Sequence, residues 1–255
     1  MTVTDRFQGK VALITGAGSG IGRAVAVRLA AEGASVLAVD VDGGRLDETA
    51  TLVADAGSPG ELVAATADLS DPDECPRVVA DSIERFGALD VLGNIAGIYL
   101  ADHTPSMSRE RYRRLMAINL DAPFFLTQAA IPHLLERNGT IVNIASNAGL
   151  QGVPYSTAYA MSKGGIVQLT RALAVEHLKR PLRVNAIAPA GTNTNIATGA
   201  SFPPDMDIDL ATRMAGLRGL AEPEEVAAVF AFLASDEARS ITGSIYTIDN
   251  GLTAS

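Results

Sequence analysis

The sequence predicts an α/β protein with one doubly wound parallel sheet of about seven strands and helices on both faces. Short apolar runs, typical of strands that are buried on both sides, alternate along the chain with helical segments. The first apolar run also ends in a glycine-rich turn that opens a helix, at 16–22. The 255 residues contain no linker and no internal repeat, so we predict a single domain, 1–255.

Strands and helices are predicted in strict alternation. The predicted strands are 10–15, 35–39, 62–67, 89–92, 140–145, 183–188 and about 241–249. One predicted helix follows the glycine turn and ends near 32. The other predicted helices cover 46–56, 71–86 with Asp71 as N-cap, 106–137 with interruptions near Pro123 and Pro132, the segment around Tyr159, and 222–233. Because right-handed crossovers place the carboxyl ends of all strands at one edge, a ligand is expected along that edge.

The first turn reads Gly16-xxx-Gly20-x-Gly22, with Ser19 and Ile21 between the glycines. Glycines let the backbone approach a pyrophosphate, and a helix N-terminus offers unpaired N–H groups with a partial positive charge. The literal GxGxxG pattern is absent, and an ordinary tight turn is the alternative. The strand, turn and helix around it favour a nucleotide-binding loop.

Asp40 ends the second predicted strand, where the ribose of an adenosine is read in this kind of sheet. A carboxylate accepts hydrogen bonds from both ribose hydroxyls and repels a 2′-phosphate. No lysine or arginine occurs at 41–44, and Arg45 belongs to the following helix. The sequence therefore predicts NAD rather than NADP, with a solvated acid as the alternative.

Tyr159 and Lys163 are four residues apart, so on a helix they share one face. A nearby ammonium favours the phenolate and lowers the pKa of a tyrosine. Such a phenol can take a proton from an alcohol or give one to a carbonyl. The alternative is a tyrosine and a lysine that merely share a solvated face.

Composition excludes several classes of function. The formal net charge of −9 argues against nucleic acid or an anionic membrane as partner, and no run approaches the length of a membrane span. The single cysteine, Cys75, allows no internal disulfide and is interpreted as inert packing, so a reducing cytoplasm is expected. His103, His133 and His177 are scattered, so no metal site is predicted.

Taken together, the motifs resemble the short-chain dehydrogenase/reductase family, whose members have a Rossmann-type sheet. The resemblance covers essentially the whole chain. The matching pieces are 15–22, Asp68-Leu69, Asn94-x-Ala96-Gly97, Asn119, Ser146, Tyr159-xxx-Lys163 and 185–189.

The resemblance implies a role for each matching residue. Asn119 would hold a water in a proton relay, Ser146 would hydrogen-bond the substrate oxygen, and Tyr159 would be the general acid/base. Lys163 would lower the pKa of Tyr159 and bind the nicotinamide ribose. Further cofactor contacts are implied for Asp68, Leu69, Asn94, Ala96, Gly97, Pro189, Thr192 and Thr194.

Three positions depart from the family pattern. Ala190 replaces a glycine and Thr192 an aliphatic residue in the loop that covers the nicotinamide, and Ile95 replaces the second asparagine of Asn-Asn-Ala-Gly. The first two departures leave open how the carboxamide is held. Asn94, Ala96 and Gly97 are kept, so packing on the adenine side is expected to survive.

The resemblance also divides the chain. It implies a mainly cofactor-binding half at 11–145, a mainly catalytic half at 146–255, a substrate lid at about 192–218, and a homotetramer. The lid carries Asp205, Asp207 and Asp209, which either repel an anionic substrate or are simply solvated. Its apolar residues either line a substrate pocket or pack the lid on the core.

The predicted function is an NAD-dependent oxidoreductase that transfers a hydride between a secondary alcohol or ketone and the nicotinamide. One alternative is a carbonyl or 3-oxoacyl reductase that uses NAD(P)H. A second is a non-catalytic nucleotide-sensing or scaffold protein on the same fold. A serine–histidine hydrolase is disfavoured because no Gly-x-Ser-x-Gly follows a strand.

Overall fold

A computed structural model describes residues 5–195, 202–212 and 218–254. Within these ranges the strands form one parallel sheet in the order β3-β2-β1-β4-β5-β6-β7, which confirms the predicted fold class. The strands are β1 (Val11–Thr15), β2 (Ser35–Asp40), β3 (Glu61–Thr66), β4 (Val91–Asn94), β5 (Thr140–Ile144), β6 (Arg183–Pro189) and β7 (Ile245–Ile248). Each predicted strand is present, with ends shifted by a few residues.

Helices lie between the strands. They are α1 (Gly20–Ala31), α2 (Gly43–Asp55), α3 (Glu74–Phe86), α4 (Arg109–Met116), α5 (Ala122–Glu136), α6 (Thr157–Glu176), α7 (Ile208–Thr212) and α8 (Pro223–Ala234). Among the helices in the described ranges, none combines the length and the apolar character needed to cross a membrane.

Successive side chains along each strand point to opposite faces of the sheet, so the protein has two cores, one on each face. In β1, Ala12 and Ile14 face a core that includes Val25 and Leu29 of α1, whereas Leu13 faces the opposite core. That second core is closed by residues of α3 and α5, among them Leu126. Both faces are therefore covered, as a parallel sheet requires.

The structure contradicts one predicted helix start and agrees with another. The predicted N-cap at Asp71 is wrong, because α3 begins at Glu74. Asp71 instead accepts a hydrogen bond from the Asp73 N–H (3.0 Å) in a turn before the helix. By contrast, α8 begins at Pro223 with a capping box between Glu222 and Glu225, as its acidic first turn indicates.

The long helical stretch predicted at 106–137 is interrupted close to Pro123. Helix α4 runs into a π-helical turn, Ala117–Asp121, and then into α5, which also contains Pro132. Proline lacks an N–H and clashes with the carbonyl four residues earlier, here that of Asn119, which accounts for the π turn before Pro123. The interruption predicted near Pro132 is wrong, because α5 continues through it to Glu136. The π turn places Asn119 in the protein interior, at 1% exposure.

The strand order reverses between β1 and β4, because the chain proceeds from β3 at one edge to β4 on the far side of β1. In open α/β sheets, this switch point is where the carboxyl ends of the strands leave a crevice for a ligand. The loops after β1, β2, β4, β5 and β6 all meet at that edge.

Candidate active site

The turn after β1 has room for backbone only. Gly16 has a φ of +68°, and a Cβ on it would lie 3.0 Å from the Cα of Ala96. A Cβ on Gly22 would lie 2.0 Å from the carbonyl oxygen of Gly16. Gly20 has a φ of +52°, and its Cβ would lie 3.0 Å from Cγ2 of Thr194. The loop after β6 is thus packed on the glycine turn through Thr194, for which the resemblance implies a cofactor contact.

Ser19 is the N-cap of α1, and the Ile21 side chain packs on the core. The backbone of the turn therefore lies at the edge of the sheet. The end of a helix at this place carries unpaired N–H groups. These groups lie where the sequence predicts a phosphate-binding turn.

The Asp40 carboxylate lies directly beside the glycine turn. It accepts hydrogen bonds from the N–H groups of Gly18 (3.0 Å) and Asp42 (3.1 Å). Arg45, the nearest cation in the sequence, pairs with Asp42 instead, at 3.3 Å. Arg23 is held by Glu48 at 2.7 Å. Both guanidinium groups near Asp40 therefore have carboxylate partners of their own.

The loop after β4 is fastened to the glycine turn through Thr15. The Thr15 hydroxyl accepts hydrogen bonds from the N–H groups of Ile95 (2.9 Å) and Ala96 (3.0 Å) and donates one to the carbonyl of Gly93 (3.1 Å). The departure at Ile95 does not disturb this, because only its backbone takes part in the hydrogen bond.

Asn94 points inward rather than into the crevice. Its amide donates to Asn143 at 2.8 Å and to Thr127 at 3.3 Å, and the residue is 4% exposed. Its side chain therefore supports the sheet, and a cofactor contact would come from its backbone. Asp68 is exposed, and hydrogen bonds from Ser70 hold the pKa of its carboxyl below the usual value. Leu69 beside it is buried in the core.

Ser146, Tyr159 and Lys163 come together at the carboxyl end of β5. Ser146 follows β5, close to the Tyr159 hydroxyl, and its own hydroxyl donates a hydrogen bond of 3.1 Å to Oδ1 of Asn147. The Lys163 ammonium lies 5.8 Å from the centre of the Tyr159 ring and donates a hydrogen bond of 2.8 Å to the carbonyl of Ile144. The sequence spacing on α6 therefore does bring the phenol and the ammonium onto one side of the helix.

The pKa values of this cluster are controlled by burial. Desolvation raises the pKa of Tyr159 to about 12, although the nearby Ser146 hydroxyl lowers it. Desolvation also lowers the pKa of Lys163 to about 8. In the protein alone, the pKa of Tyr159 thus lies above its usual value, not below it as expected from Lys163. Tyr159 is a protonated phenol at neutral pH.

Asn119 joins the loop after β4 to α6. Its side chain accepts from the Ile98 N–H (2.8 Å) and donates to the Ile98 carbonyl (2.9 Å) and to the Ser162 hydroxyl (3.3 Å). Ser162 donates in turn to the carbonyl of Tyr159 at 2.7 Å. These bonds position the backbone on both sides of the cluster. A Cβ on Gly97 would lie 3.3 Å from Oδ1 of Asn119.

The loop after β6 is fixed by backbone pairing despite its two departures. Thr192 forms a parallel bridge with Ala221, and the Asn193 N–H donates to the Ala221 carbonyl at 2.9 Å. Pro189 ends β6, opposite Ile248 of β7. The predicted lid continues from here. Its residues 196–201 and 213–217, including Met214 and Leu217, lie outside the described ranges.

Sequence reasoning missed a group of aromatic residues beside the cluster. Tyr99, from the loop after β4, packs edge-on against Tyr159 with ring centres 4.9 Å apart, and Phe202 lies 6.0 Å from Tyr99. Tyr155 packs edge-on against His103, with ring centres 5.2 Å apart, and has a left-handed backbone, φ +60°. The signal was available in the clustering of tyrosines at 155 and 159, but aromatic residues in loops have no distinctive spacing.

Comparisons with known proteins agree with this geometry. A family model described as "Enoyl-(Acyl carrier protein) reductase" matches residues 16–253. The chain is 39% identical to meso-2,3-butanediol dehydrogenase from Serratia marcescens, over 98% of this chain and 97% of the relative. It is also 39% identical to a 3-oxoacyl-(acyl-carrier-protein) reductase from Thermotoga maritima, over 97% and 99%. The crystal structure of levodione reductase superposes with a TM-score of 0.89 at 35% identity, covering 98% of this chain and 99% of that one.

The chain therefore belongs to the short-chain dehydrogenase/reductase family of oxidoreductases, whose members use a nicotinamide cofactor. The residues present fit such a cofactor. Close packing keeps the glycine turn free of side chains, and the Asp40 carboxylate lies next to it.

Proposed function

We propose that this protein is an NAD-dependent oxidoreductase that interconverts a secondary alcohol and its ketone. The observation that supports this most directly is the buried cluster of Ser146, Tyr159 and Lys163 beside the glycine turn. Tyr159 lies close to Ser146, and the Lys163 ammonium lies 5.8 Å from its ring. A scaffold or a nucleotide sensor has no need of a partly buried phenol with an ammonium beside it.

The residues of the cluster accept and donate the proton of the reaction. Ser146 holds the substrate oxygen by a hydrogen bond, next to the Tyr159 hydroxyl. In the oxidative direction, the Tyr159 phenolate takes the proton of the alcohol. In the reductive direction, the Tyr159 phenol gives its proton to the forming alkoxide. The charged Lys163 favours the phenolate, and Asn119 holds the backbone on both sides. Bound nicotinamide supplies the hydride acceptor or donor.

The cofactor is held by residues at the same edge of the sheet. The glycine turn, with Ser19 and Ile21, receives the pyrophosphate, and Leu69 with the backbone of Asn94, Ala96 and Gly97 borders the adenosine side. Pro189, Thr192 and Thr194 cover the nicotinamide, and Lys163 binds its ribose. Asp68 completes the adenine side. In this assignment, 11–145 mainly binds cofactor, 146–255 mainly carries catalysis, and 192–218 is the lid.

NAD is favoured over NADP by the surroundings of Asp40. The carboxylate faces the place of the adenosine ribose, and the neighbouring cations Arg45 and Arg23 are paired with Asp42 and Glu48. A 2′-phosphate here would meet a like charge, with repulsion of about 1–4 kcal/mol at partly solvated contact distances.

A carbonyl or 3-oxoacyl reductase is the second candidate, and sequence identity does not choose between them. The butanediol dehydrogenase and the 3-oxoacyl reductase are equally similar to this chain, at 39%. The chemistry near the site favours the dehydrogenase. Asp40 selects against NADPH, and exposed acids in the lid, such as Asp205, oppose the phosphates of an acyl carrier.

We also propose a homotetramer in the cytoplasm. Helices α5 and α6 carry large apolar side chains that are 47–67% exposed in the single chain, namely Phe124, Met161 and Val175. Association through these helices would cover them. The single cysteine is a buried thiol, which suits a reducing compartment.

NADH formation from a panel of secondary alcohols tests the proposal, with NADP⁺ in parallel. Tyr159→Phe is the inactive variant, and Tyr112→Phe on α4 is the matched control. We expect turnover with NAD⁺ that Tyr159→Phe abolishes while NADH binding is kept. Near wild-type turnover in Tyr159→Phe would refute the proton-transfer role. A protein that binds neither NADH nor NADPH would refute the oxidoreductase itself.

A further inference from the structure

Aromatic side chains are concentrated around the proposed reaction centre. The chain has only 5 tyrosines, and three of them are Tyr99, Tyr155 and Tyr159. Tyr99 packs edge-on against Tyr159 with an interplanar angle of 79°. Phe202, from the segment after β6, lies 6.0 Å from Tyr99. We call Tyr99 and Phe202 the aromatic wall.

Tyr99 is held in place by a hydrogen bond from its phenolic hydroxyl. Its hydroxyl lies 2.7 Å from the Ser156 hydroxyl, and Ser156 donates its own proton to the carbonyl of Pro154 at 3.2 Å. Tyr99 must therefore be the donor to Ser156, which is buried at 1% exposure. The phenol is committed to the protein, so the part of Tyr99 left to meet a ligand is its ring.

The segments that follow β4, β5 and β6 carry more acids than cations. The stretches 95–108 and 145–156 contain no lysine and no arginine, and the lid at 192–218 contains Arg213 and Arg218. The segments also contain Asp102, Asp205, Asp207 and Asp209. Asp205 faces His103 at 2.9 Å, while Arg111, outside these stretches, pairs with Asp102. A carboxylate or phosphate on the substrate would therefore meet more acids than cations in these segments.

Resting on the proposed function, we propose that the substrate is an uncharged secondary alcohol whose reacting carbon lies in or beside a ring. Tyr99 is the residue that selects it. A flat or cyclic apolar group next to the reacting carbon packs on the aromatic wall, where offset or edge-to-face contact is favourable. The alcohol loses a hydride to NAD⁺ and a proton to Tyr159, and leaves as the ketone.

Three uncharged alcohols and one anionic alcohol test this, and each is assayed for kcat and KM with NAD⁺. They are cyclohexanol, 1-phenylethanol, 2,3-butanediol and 3-hydroxybutyrate. In the wild type, kcat/KM for the two ring-bearing alcohols should exceed that for the other two by about tenfold or more, the scale at which apolar contacts discriminate. A preference for 2,3-butanediol or 3-hydroxybutyrate would overturn the inference.

Tyr99→Leu separates selection from a merely structural role. It should reduce the advantage of the ring-bearing probes about tenfold, mainly through KM, and change 2,3-butanediol less than threefold. Tyr99→Phe, which keeps the ring and loses the bond to Ser156, should retain the preference. Tyr112→Leu, on α4, is the control. An equal loss with all four probes in Tyr99→Leu would mean that Tyr99 only supports the fold.

Two further readouts keep the outcomes distinct. Thermal melting and NADH binding report whether Tyr99→Leu folds, and Phe202→Leu tests the same wall if it does not. Turnover of 2,3-butanediol that requires Tyr159, without a ring preference, would leave the proposed function standing and overturn the inference. Silence with all four probes in protein that binds NADH would also overturn it, since ring-bearing alcohols are its stated substrates.

Discussion

The Lys163 ammonium donates a hydrogen bond of 2.8 Å to the main-chain carbonyl of Ile144, the last residue of β5. This bond joins helix α6 to the sheet two residues before Ser146. The lysine is 4% exposed and has no carboxylate partner among the ion pairs of the described residues. A cation held this way favours negative charge on the neighbouring phenol, and its burial opposes folding.

The cost of burying Lys163 should be visible as a pH-dependent stability. Its pKa falls from 10.5 to about 8 on folding, so the folded protein binds fewer protons than the unfolded chain between these values. Stability therefore rises with pH through this window, and the cost is fully present below about pH 8. Relative to Lys163→Met, the wild type should gain about 2–3 kcal/mol between pH 7 and pH 10.

Urea denaturation of both proteins at the two pH values measures this. Tyr159 titrates in both, so the difference between them isolates Lys163. Lys179→Met, at an exposed position, is the matched control and should show no such change. A wild-type advantage that stays constant from pH 7 to pH 10 would contradict the assigned burial cost.

The rates of oxidation and of reduction should respond differently to pH because of Tyr159. Burial raises the pKa of this phenol to about 12 in the protein alone, so it is protonated at neutral pH. Oxidation needs the phenolate and should become faster as pH rises from 6 to 9, whereas reduction uses the phenol and should not gain. Initial rates in both directions, measured across this range, check the sign. Oxidation that is independent of pH between 6 and 9 would argue against Tyr159 as the base.

Gly22→Ala should damage the fold and the cofactor site together. A Cβ at this position would lie 2.0 Å from the carbonyl oxygen of Gly16, so the turn has to move. We expect a loss of about 3 kcal/mol in stability and at least a tenfold weaker affinity for NADH. Chemical denaturation and fluorescence titration with NADH measure the two effects.

Gly44→Ala is the control for this substitution. Gly44 lies in helix α2, and a Cβ there would be 3.5 Å from the nearest atom, an ordinary contact. Its stability should be unchanged or higher by up to about 1 kcal/mol, because alanine favours a helix over glycine. If both variants behaved alike, the close approach of Gly22 to Gly16 would have no energetic consequence.

The sequence predicts the sheet and most of the cluster because both depend on local pattern. Buried strands have continuous apolar runs, and the spacing of Tyr159 and Lys163 determines their common face. The true start of α3 was missed because Asp71-Pro72 has the composition of a helix start, yet forms a separate turn. Contacts between distant loops, such as Tyr99 with Ser156, depend on tertiary packing and leave no signal in spacing.

The raised pKa of Tyr159 was missed for a related reason. A sequence shows which charged residue is near the phenol, but it does not show how much water is excluded. Desolvation is the largest influence on both Tyr159 and Lys163. The inward direction of Asn94 has the same origin, since its partner Asn143 lies on a neighbouring strand.

Asp40→Ala should relax the choice between NAD⁺ and NADP⁺. The carboxylate lies at the end of β2 and accepts from the Gly18 N–H at 3.0 Å. In the proposed site it faces the adenosine ribose, so its removal would abolish the repulsion of a 2′-phosphate and the hydrogen bonds to the ribose hydroxyls. We expect the ratio of kcat/KM for NAD⁺ over NADP⁺ to fall by about tenfold or more, corresponding to at least about 1.4 kcal/mol. Asp55→Ala, at the far end of α2, changes the net charge equally and should leave the ratio unaltered. An unchanged ratio in Asp40→Ala would place the preference in residues other than Asp40.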